Sequence, residues 1–235
     1  MGGIEMNTLN TFEDRQSLDQ ALAQTVSELL LNAVGAKGKA SIAVSGGSTP
    51  KGFFAALSEF DLPWQDITIT LADERWVNID SDSSNTRLVF ENLIQNKAVN
   101  AKFFHLKQGE LLNEETLADL NLAADSSILP FDVVILGMGE DGHTASLFPC
   151  SDQIELCLAD TTPSLIKVEP KTAPHQRISF SFNALKQSEN VFLHIVGAGK
   201  KNVLDEALTS TNVYEMPIRA FLQSPAVNTQ VFWAE

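Results

Sequence analysis

The stretch "FDVVILGMGEDGHTASLFP", residues 131–149, places an apolar run directly before a turn rich in glycine and acidic residues. The run ends at Leu136 and is continuous rather than alternating, which is typical of a parallel strand that is buried on both faces. The turn reads Gly137-Met-Gly139-Glu-Asp-Gly142, the G-x-G-x-x-G spelling of a dinucleotide-binding loop. This stretch predicts a parallel sheet with a functional loop at the carboxyl end of one strand.

Further strands and helices are expected on both sides of this stretch. Strands are predicted at 40–45, 67–72, 176–185, 190–199 and 229–235, and helices at 13–34, from 50 onward, 84–94 and 200–208. Gly35 is expected to end the first helix, and Ser48 or Thr49 to cap the second. Strands that alternate with helices predict one Rossmann-like, doubly wound α/β domain, residues 1–235, with a mostly parallel sheet and helices on both faces. Residues 1–5 are interpreted as a cloning remnant.

Composition and charge restrict the partners of the chain. A formal net charge of −14 argues against nucleic acid and anionic membranes, which require a positive surface. No apolar run approaches the roughly 20 residues that span a bilayer, and the first 20 residues lack the features of a signal peptide. Cys150 and Cys157 form neither a disulfide framework nor a zinc motif. We therefore expect a cytoplasmic protein without cofactor or metal, a monomer or small homo-oligomer, whose ligand is a small molecule.

The loop "SGGSTP", residues 45–50, is a candidate phosphate site. Gly46 and Gly47 expose backbone N–H groups, Ser48 and Thr49 add hydroxyls, and a helix begins directly afterwards, so the helix dipole also favours an anion. The alternative is a tight turn with an ordinary helix cap. All these features lie at a predicted strand end, where ligands bind in doubly wound folds.

A lysine follows another predicted strand end. Lys200 in "GAGKKN" can pair with a phosphate as a point charge. The loop lacks the first glycine and the Ser or Thr of a nucleotide-triphosphate loop, so that class of ligand is not expected. The alternative for Lys200 is a solvated side chain that opens a helix.

The loop after Leu136 suits catalysis better than a cofactor. Glu140 and Asp141 would oppose a pyrophosphate by several kcal/mol in a low dielectric, so the glycine pattern is interpreted as accidental. His143 is a candidate general base because an imidazole titrates near neutral pH. Asp141, or Asp73 across the cleft, would orient its ring. The alternatives are a structural histidine and a Ser-His-Asp hydrolase, for which no G-x-S-x-G motif is present.

Two arginines also lie at predicted strand boundaries. Arg75 in "DERW" and Arg177 in "APHQR" can each bind a phosphate or carboxylate through two parallel hydrogen bonds. Structural ion pairs are the alternative. His105 and His194 are interpreted as packing or surface residues, and Trp76 and the phenylalanines at 53, 54, 90, 103 and 104 as core.

Six segments in order, from about residue 40 to the end, resemble the 6-phosphogluconolactonase family: "SGGSTPKGFF", "LADERWV", "SNTRLVFENL", "FDVVILGMGEDGHTASLFP", "APHQRISFSFNAL" and "VFLHIVGAGKKNVL". That family is similar to glucosamine-6-phosphate deaminases, with which it shares a Rossmann-like fold. The deaminases carry a catalytic glutamate shortly after a similar D-G-H loop, where this chain has Phe148. They also typically read Asp-Glu-Tyr where this chain has "DERW". Both departures favour the lactonase.

The resemblance implies a function and a set of site residues. It implies hydrolysis of 6-phospho-D-glucono-1,5-lactone to 6-phosphogluconate, in the oxidative pentose phosphate pathway and without a required metal. His143 would activate the attacking water, with Asp141 and Asp73 as catalytic partners. The implied substrate-binding residues are Ser48, Thr49, Arg177 and Lys200 at the phosphate, Asp73, Arg75 and Asn85 at the sugar, and the glycines 46, 47, 139 and 142. The alternatives are a deaminase or isomerase in which Asp73 moves a proton at C2, and a non-catalytic sugar-phosphate-binding protein.

Overall fold

The computed structural model describes residues 8–235, so the interpretation of residues 1–5 lies outside the described residues. Within residues 8–235 the strands are β1 (Leu9–Phe12), β2 (Ala40–Val44), β3 (Ile67–Leu71), β4 (Asp73–Arg75), β5 (Lys102–Phe103), β6 (Val133–Leu136), β7 (Leu165–Val168), β8 (Arg177–Phe180), β9 (Asn190–Val196) and β10 (Thr229–Ala234). The helices are α1 (Arg15–Lys37), α2 (Lys51–Ser58), α3 (Asn85–Asn92), α4 (Glu114–Ser127), α5 (Ile154–Leu158), α6 (Phe182–Leu185), α7 (Ala198–Ala207) and α8 (Ile218–Gln223). No helix in this part of the chain is long and apolar enough to cross a membrane.

The central sheet has seven strands in the order β1-β10-β9-β6-β2-β3-β5. Every neighbouring pair in it is parallel, and helices flank the sheet. All residues of β2 and β6 are buried, as expected for central strands of a parallel sheet that is covered on both faces. The predicted α/β fold with a mostly parallel sheet is therefore confirmed.

The strand order reverses between β2 and β6. After β2 the chain adds β3 and β5 on one side, and it then returns to add β6, β9 and β10 on the other. The Ser45 hydroxyl links the loops that follow β2 and β6, because it donates to the Ile135 carbonyl at 3.0 Å and accepts from the Gly137 N–H at 3.2 Å. The reversal therefore places "SGGSTP" beside the histidine loop, in the crevice where such sheets bind ligands.

A second, antiparallel sheet of order β4-β8-β7 was not predicted. The sequence indicated one long strand at 176–185, but β8 ends at Phe180 and α6 begins at Phe182, capped by the Ser181 hydroxyl. Residues after Ala72 were expected to be a strand-end loop, yet Asp73–Arg75 form β4 and pair with β8. In this ladder Arg75 lies directly opposite Arg177. The small sheet thus brings two distant segments together at one edge of the crevice.

Two predicted helix ends are wrong. α1 continues past Gly35 to Lys37, and the C-cap is Gly38, whose φ of 74° allows its N–H to bond the Val34 carbonyl. α2 is not capped by Ser48 or Thr49, because Pro50 occupies the N-cap and no side chain caps the helix. The hydroxyls of the loop are consequently left for other partners. At α3, by contrast, the Ser84 hydroxyl accepts from the Arg87 N–H and caps the helix.

The aromatic residues differ in burial. Of the predicted core residues, Phe53 and Phe54 are fully buried and Phe90 is 36% exposed. Trp76, Phe103 and Phe104 are only partly buried and pack against the core from outside. The Phe90 ring instead stacks on His105 near the edge strand β5. Both cysteines are free.

Candidate active site

A cavity of about 560 Å³ opens at the carboxyl edge of the central sheet. The loops after β2, β6 and β9 surround it, together with the edge of the small sheet. All but two of the predicted site residues line it: Gly46, Gly47, Ser48, Thr49, Asp73, Arg75, Asn85, Gly139, His143, Arg177 and Lys200. The other two, Asp141 and Gly142, belong to the histidine loop but are not part of this lining. The fold thus gathers residues from five separated segments around one space.

His143 is held by a carboxylate from its own loop. Its Nδ1 lies 2.5 Å from Asp141 Oδ1, which also accepts the backbone N–H of His143 at 3.1 Å. The ring stacks on Phe148, with centroids 4.1 Å apart and planes inclined by 28°. Since the carboxylate accepts the proton of Nδ1, Nε2 keeps its lone pair and can take a proton. Of the two carboxylates predicted to orient the ring, Asp141 does so.

The environment keeps Asp141 ionised. Burial by itself raises the pKa of this carboxyl, but the hydrogen bond and the charge of His143 and the backbone N–H together outweigh it and lower the pKa below its ordinary value of 3.8. A carboxylate that stays charged fixes the tautomer of its histidine and stabilises the imidazolium after proton transfer.

The glycines of the histidine loop have steric roles. A Cβ on Gly139 would lie 2.1 Å from His143 Nδ1, so a side chain there would displace the ring. Gly142 has a φ of 73°, and a Cβ there would lie 2.7 Å from the Cβ of Met216. The predicted substrate-binding glycines of this loop therefore shape the position of the base.

Asp73 lies in a separate network. It accepts from the Ser146 hydroxyl at 2.5 Å and lies 4.0 Å from Arg177 Nη1. Burial lowers the pKa of Arg177, as does the charge of Arg75, while Asp73 raises it. The Arg177 guanidinium also lies 5.7 Å from the centre of the Phe148 ring. Asp73 thus partly neutralises the pair of arginines on the small sheet.

Glu74 fixes the beginning of α3 and two lining residues. Its carboxylate accepts the backbone N–H groups of Arg75 at 2.7 Å, Asn85 at 2.9 Å and Thr86 at 2.7 Å. Burial raises the pKa of this carboxyl, although these hydrogen bonds oppose the change. Asn85 in turn approaches Gly46 so closely that a Cβ there would lie 2.0 Å from its Oδ1. Glu74 therefore positions Arg75 and Asn85 without reaching the cavity.

The loop after β2 and the first turn of α7 supply side-chain donors that pair with no described residue. Within the described part of the chain, no hydrogen bond involves the hydroxyls of Ser48 and Thr49, and no acid pairs with Lys200. Gly47 has a φ of 91°, which only glycine adopts without strain. Lys200 is the third residue of α7, directly after the turn that follows β9. These groups remain available to an anion.

Three lining or supporting residues were not identified from the sequence. His175 lines the cavity with a φ of 69°, and His194, interpreted as a packing or surface residue, is buried and also lines it. Ser146 holds Asp73. In the sequence these residues are marked only by lying near the candidate motifs, because the pairing of distant segments decides which way each side chain faces.

Within residues 8–235 no group of three or more His, Cys, Asp or Glu residues has metal-binding geometry.

Comparisons with known proteins agree over nearly the whole chain. A profile of the family described as "Glucosamine-6-phosphate isomerases/6-phosphogluconolactonase" matches residues 13–233. The 6-phosphogluconolactonase of Rhizobium meliloti is 44% identical over 227 residues, covering 96% of this chain and 98% of that protein. That of Pseudomonas putida is 40% identical over 225 residues, covering 94% and 90%. A crystal structure of a 6-phosphogluconolactonase from Shewanella baltica matches with a TM-score of 0.95 and 45% identity, covering 100% of both chains.

Proposed function

Since this chain belongs to the glucosamine-6-phosphate isomerase/6-phosphogluconolactonase family and is itself a 6-phosphogluconolactonase, we propose that His143 is the general base of lactone hydrolysis. The observation that carries this proposal is the contact between His143 Nδ1 and Asp141 Oδ1, which leaves Nε2 as the proton acceptor. The relatives are lactonases, so the deaminase and the non-catalytic binding protein have no comparable support.

The reaction requires little beyond positioning and one base. His143 Nε2 takes a proton from water while the water oxygen bonds to C1 of the lactone. The tetrahedral intermediate then collapses, the bond between C1 and the ring oxygen breaks, and the imidazolium returns its proton to that oxygen. Product release leaves 6-phosphogluconate, and the neutral base is restored. A δ-lactone is already electrophilic, so these steps need orientation and charge stabilisation rather than a covalent intermediate.

The two ends of the cavity suit the two ends of the substrate. We assign the phosphate to the loop at 45–50 and to Lys200, because the hydroxyls of that loop and the Lys200 ammonium have no partner among residues 8–235 and lie at the beginnings of α2 and α7. The sugar end of the substrate then faces Asp73, Arg75 and Asn85. Glu74 holds the last two in place through their backbone N–H groups. Arg177 was predicted at the phosphate, but it lies opposite Arg75, which supports a shared role for both arginines.

The test of the base is His143→Ala, assayed on freshly prepared 6-phospho-D-glucono-1,5-lactone after correction for spontaneous hydrolysis. Loss of a general base lowers kcat by roughly 10²- to 10⁴-fold, with little change in product affinity. His105→Ala is the matched control, because His105 contacts Phe90 and Phe103 and does not line the cavity. A folded His143→Ala protein with near-normal turnover would exclude this assignment.

We also propose that the enzyme works in the cytoplasm as a monomer or small homo-oligomer. The two free thiols support a reducing compartment. Light scattering of the purified protein at micromolar concentration measures the oligomeric state directly, and a large or open-ended assembly would contradict the proposal.

A further inference from the structure

The phosphate loop contacts a residue far from it in sequence and outside the cavity. Arg15, the first residue of α1, donates from Nη2 to the carbonyl of Ser48 at 2.9 Å and to that of Thr49 at 2.8 Å. A positive side chain in the first turn of a helix opposes the helix dipole, and the carboxylate at this helix end belongs to the N-cap, Asp14, which accepts the Ser17 N–H. Local helix preference therefore does not favour Arg15 at this position, whereas its contact with the loop accounts for it.

The Arg15 contact orients the peptide groups of the loop. In a trans peptide the carbonyl and the following N–H point in opposite directions. A carbonyl of Ser48 that is held by Arg15 therefore turns the N–H of Thr49 away from the guanidinium. Thr49 itself lines the cavity, and the next residue, Pro50, has no N–H to offer. Arg15 thus controls the only backbone donor between Ser48 and α2.

Asp19 and His194 continue this contact into the protein. Arg15 Nε lies 3.7 Å from Asp19 Oδ2, and Asp19 Oδ1 lies 3.2 Å from His194 Nε2. The Asp19 and His194 side chains are 7% and 2% exposed. Asp19 packs so closely on the first turn of α2 that a Cβ on Gly52 would lie 2.0 Å from Oδ2. These groups therefore lie directly behind the loop and the helix that follows it.

The burial of His194 calls for an explanation. Neither ring nitrogen makes a hydrogen bond of good geometry within residues 8–235, although Nε2 is at ion-pair distance from Asp19. Leaving a buried polar group without a hydrogen bond destabilises the folded state, so such a group in a native structure calls for a specific explanation. His194 lines the cavity on the side of Lys200 and the phosphate loop. A polar ring therefore borders the cavity at the point where Asp19 reaches it from behind.

We propose that Arg15, Asp19 and His194 form a loop support that positions residues 45–50 for the substrate phosphate. Arg15 and Asp19 do not line the cavity, so they act on the substrate only through the loop. The support holds the Ser48 and Thr49 carbonyls away from the cavity and places the Arg15 charge behind the loop. This inference rests on the proposed assignment of the phosphate to that loop.

The experiment compares Arg15→Met with wild type on the phosphorylated lactone and on unphosphorylated D-glucono-1,5-lactone. We expect KM for the phosphorylated lactone to rise about tenfold, the equivalent of one lost charge-assisted hydrogen bond, with kcat on both lactones within about twofold. Arg15→Lys keeps the positive charge but lacks the guanidinium that bonds both carbonyls. Its KM for the phosphorylated lactone should therefore lie between those of Arg15→Met and wild type. Lys39→Met is the matched control. It removes one positive charge at the amino end of β2, at the opposite edge of the sheet, and should change neither KM nor kcat.

A second experiment tests whether Arg15 and His194 act through the same loop. In the Arg15→Met/His194→Gln double variant, the rise in KM should be smaller than the product of the two single effects, because both act through one loop. If His194→Gln lowers thermal stability too far for assay, Arg15→Met decides alone, since its side chain is 45% exposed and its loss is tolerable.

The outcomes separate this inference from the function on which it rests. An unchanged KM in Arg15→Met, or an equal loss on both lactones, overturns the loop support while the lactonase assignment stands. If Lys200→Ala also leaves KM for the phosphorylated lactone unchanged, the phosphate site itself is misplaced. Wild-type protein without lactonase activity would overturn the proposed function before either question arises.

Discussion

His143 and Asp141 are two residues apart in the chain, so one loop supplies both the proposed base and the group that orients it. This arrangement does not depend on the relative position of two elements. It depends on glycine at 139, because the ring occupies the space of a side chain there. The orientation of the base is therefore a local property of residues 139–143.

Asp141→Asn should separate the charge of this pair from its shape. The pKa of Asp141 is lowered, so in the wild type this carboxylate stays charged at every pH above the ordinary aspartate value of 3.8 and can stabilise the imidazolium that forms on proton transfer. Removing the charge makes the imidazolium less stable, and the acid limb of kcat/KM should move to lower pH. Turnover at the plateau should fall by about 10²-fold, because an amide can also hold the wrong tautomer.

The pH-rate profile of Asp141→Asn is measured against Glu140→Gln, a neighbouring substitution of an exposed acid. The free energy of unfolding should also depend on this carboxylate. Its contribution is present above the ordinary aspartate pKa and disappears as the pH falls through the lowered pKa of Asp141 in the folded protein. A profile that shifts to higher pH would contradict the proposed pairing.

Lys200→Ala tests the phosphate contact by itself. One lost charge-assisted contact of about 1.5–3 kcal/mol should raise KM for the phosphorylated lactone about 10- to 100-fold and leave the unphosphorylated lactone nearly unaffected. Lys201→Ala is the matched control, because Lys201 is paired with Asp205 on the same helix. Equal losses on the two lactones in Lys200→Ala would remove this residue from the phosphate site.

At the scale of elements, one carboxylate from β4, that of Glu74, accepts the first two N–H groups of α3. Glu74→Gln should lower the free energy of unfolding by about 1–3 kcal/mol, because the amide nitrogen would face a backbone N–H that is left without an acceptor. KM should rise as well, since Arg75 and Asn85 lose their common anchor. Denaturant unfolding at neutral pH measures the first effect, and Glu91→Gln, at the exposed partner of Arg87, is expected to stay within about 0.5 kcal/mol of wild type. Unchanged stability in Glu74→Gln would show that the helix does not need this cap.

The elements also show what the sequence could and could not predict. The strands at 40–45, 67–72 and 131–137 were predictable because continuous apolar runs are characteristic of buried parallel strands. β4 was not, since three polar residues contain no periodicity and become a strand only by pairing with β8, about a hundred residues later. β1, β7 and α4 were not predicted at all. Register and pairing of short strands are tertiary properties, which is also why the contacts of Ser146, Arg15 and His175 could not be anticipated.

At the scale of the whole molecule, a strongly acidic protein holds an acidic substrate. The net charge is −14, yet Arg75, Arg177 and Lys200 all line one cavity. Because salt screens charges beyond about 8–10 Å, the distant acids weigh little against these near donors. Anion binding here is a local property of the crevice and does not require a basic surface.

Ligand binding should be visible in the thermal stability of the whole chain. At about 100 times its Kd, 6-phosphogluconate adds about 2.7 kcal/mol, which for a chain of this size should raise Tm by about 5–10 °C. Gluconate without the phosphate should raise Tm far less, and NAD or NADP should not raise it, since Glu140 and Asp141 occupy the glycine loop. EDTA should leave turnover intact. A nucleotide-dependent shift, or activity that a chelator removes and a metal restores, would contradict this reading of the site.

The pairing of Arg75 with Arg177 also limits how this enzyme can evolve. Directly opposed residues of an antiparallel ladder have Cβ atoms about 4.5–5.5 Å apart, so the backbone sets the spacing of the two points from which the arginine side chains extend. Substitutions elsewhere in the cavity can alter which sugar is accepted without changing that spacing. Altering it requires a slip in strand register, which would turn every side chain of the strand to its opposite face. New substrate preferences within this lineage should therefore arise through the surrounding loops, with the distance between the arginines inherited unchanged.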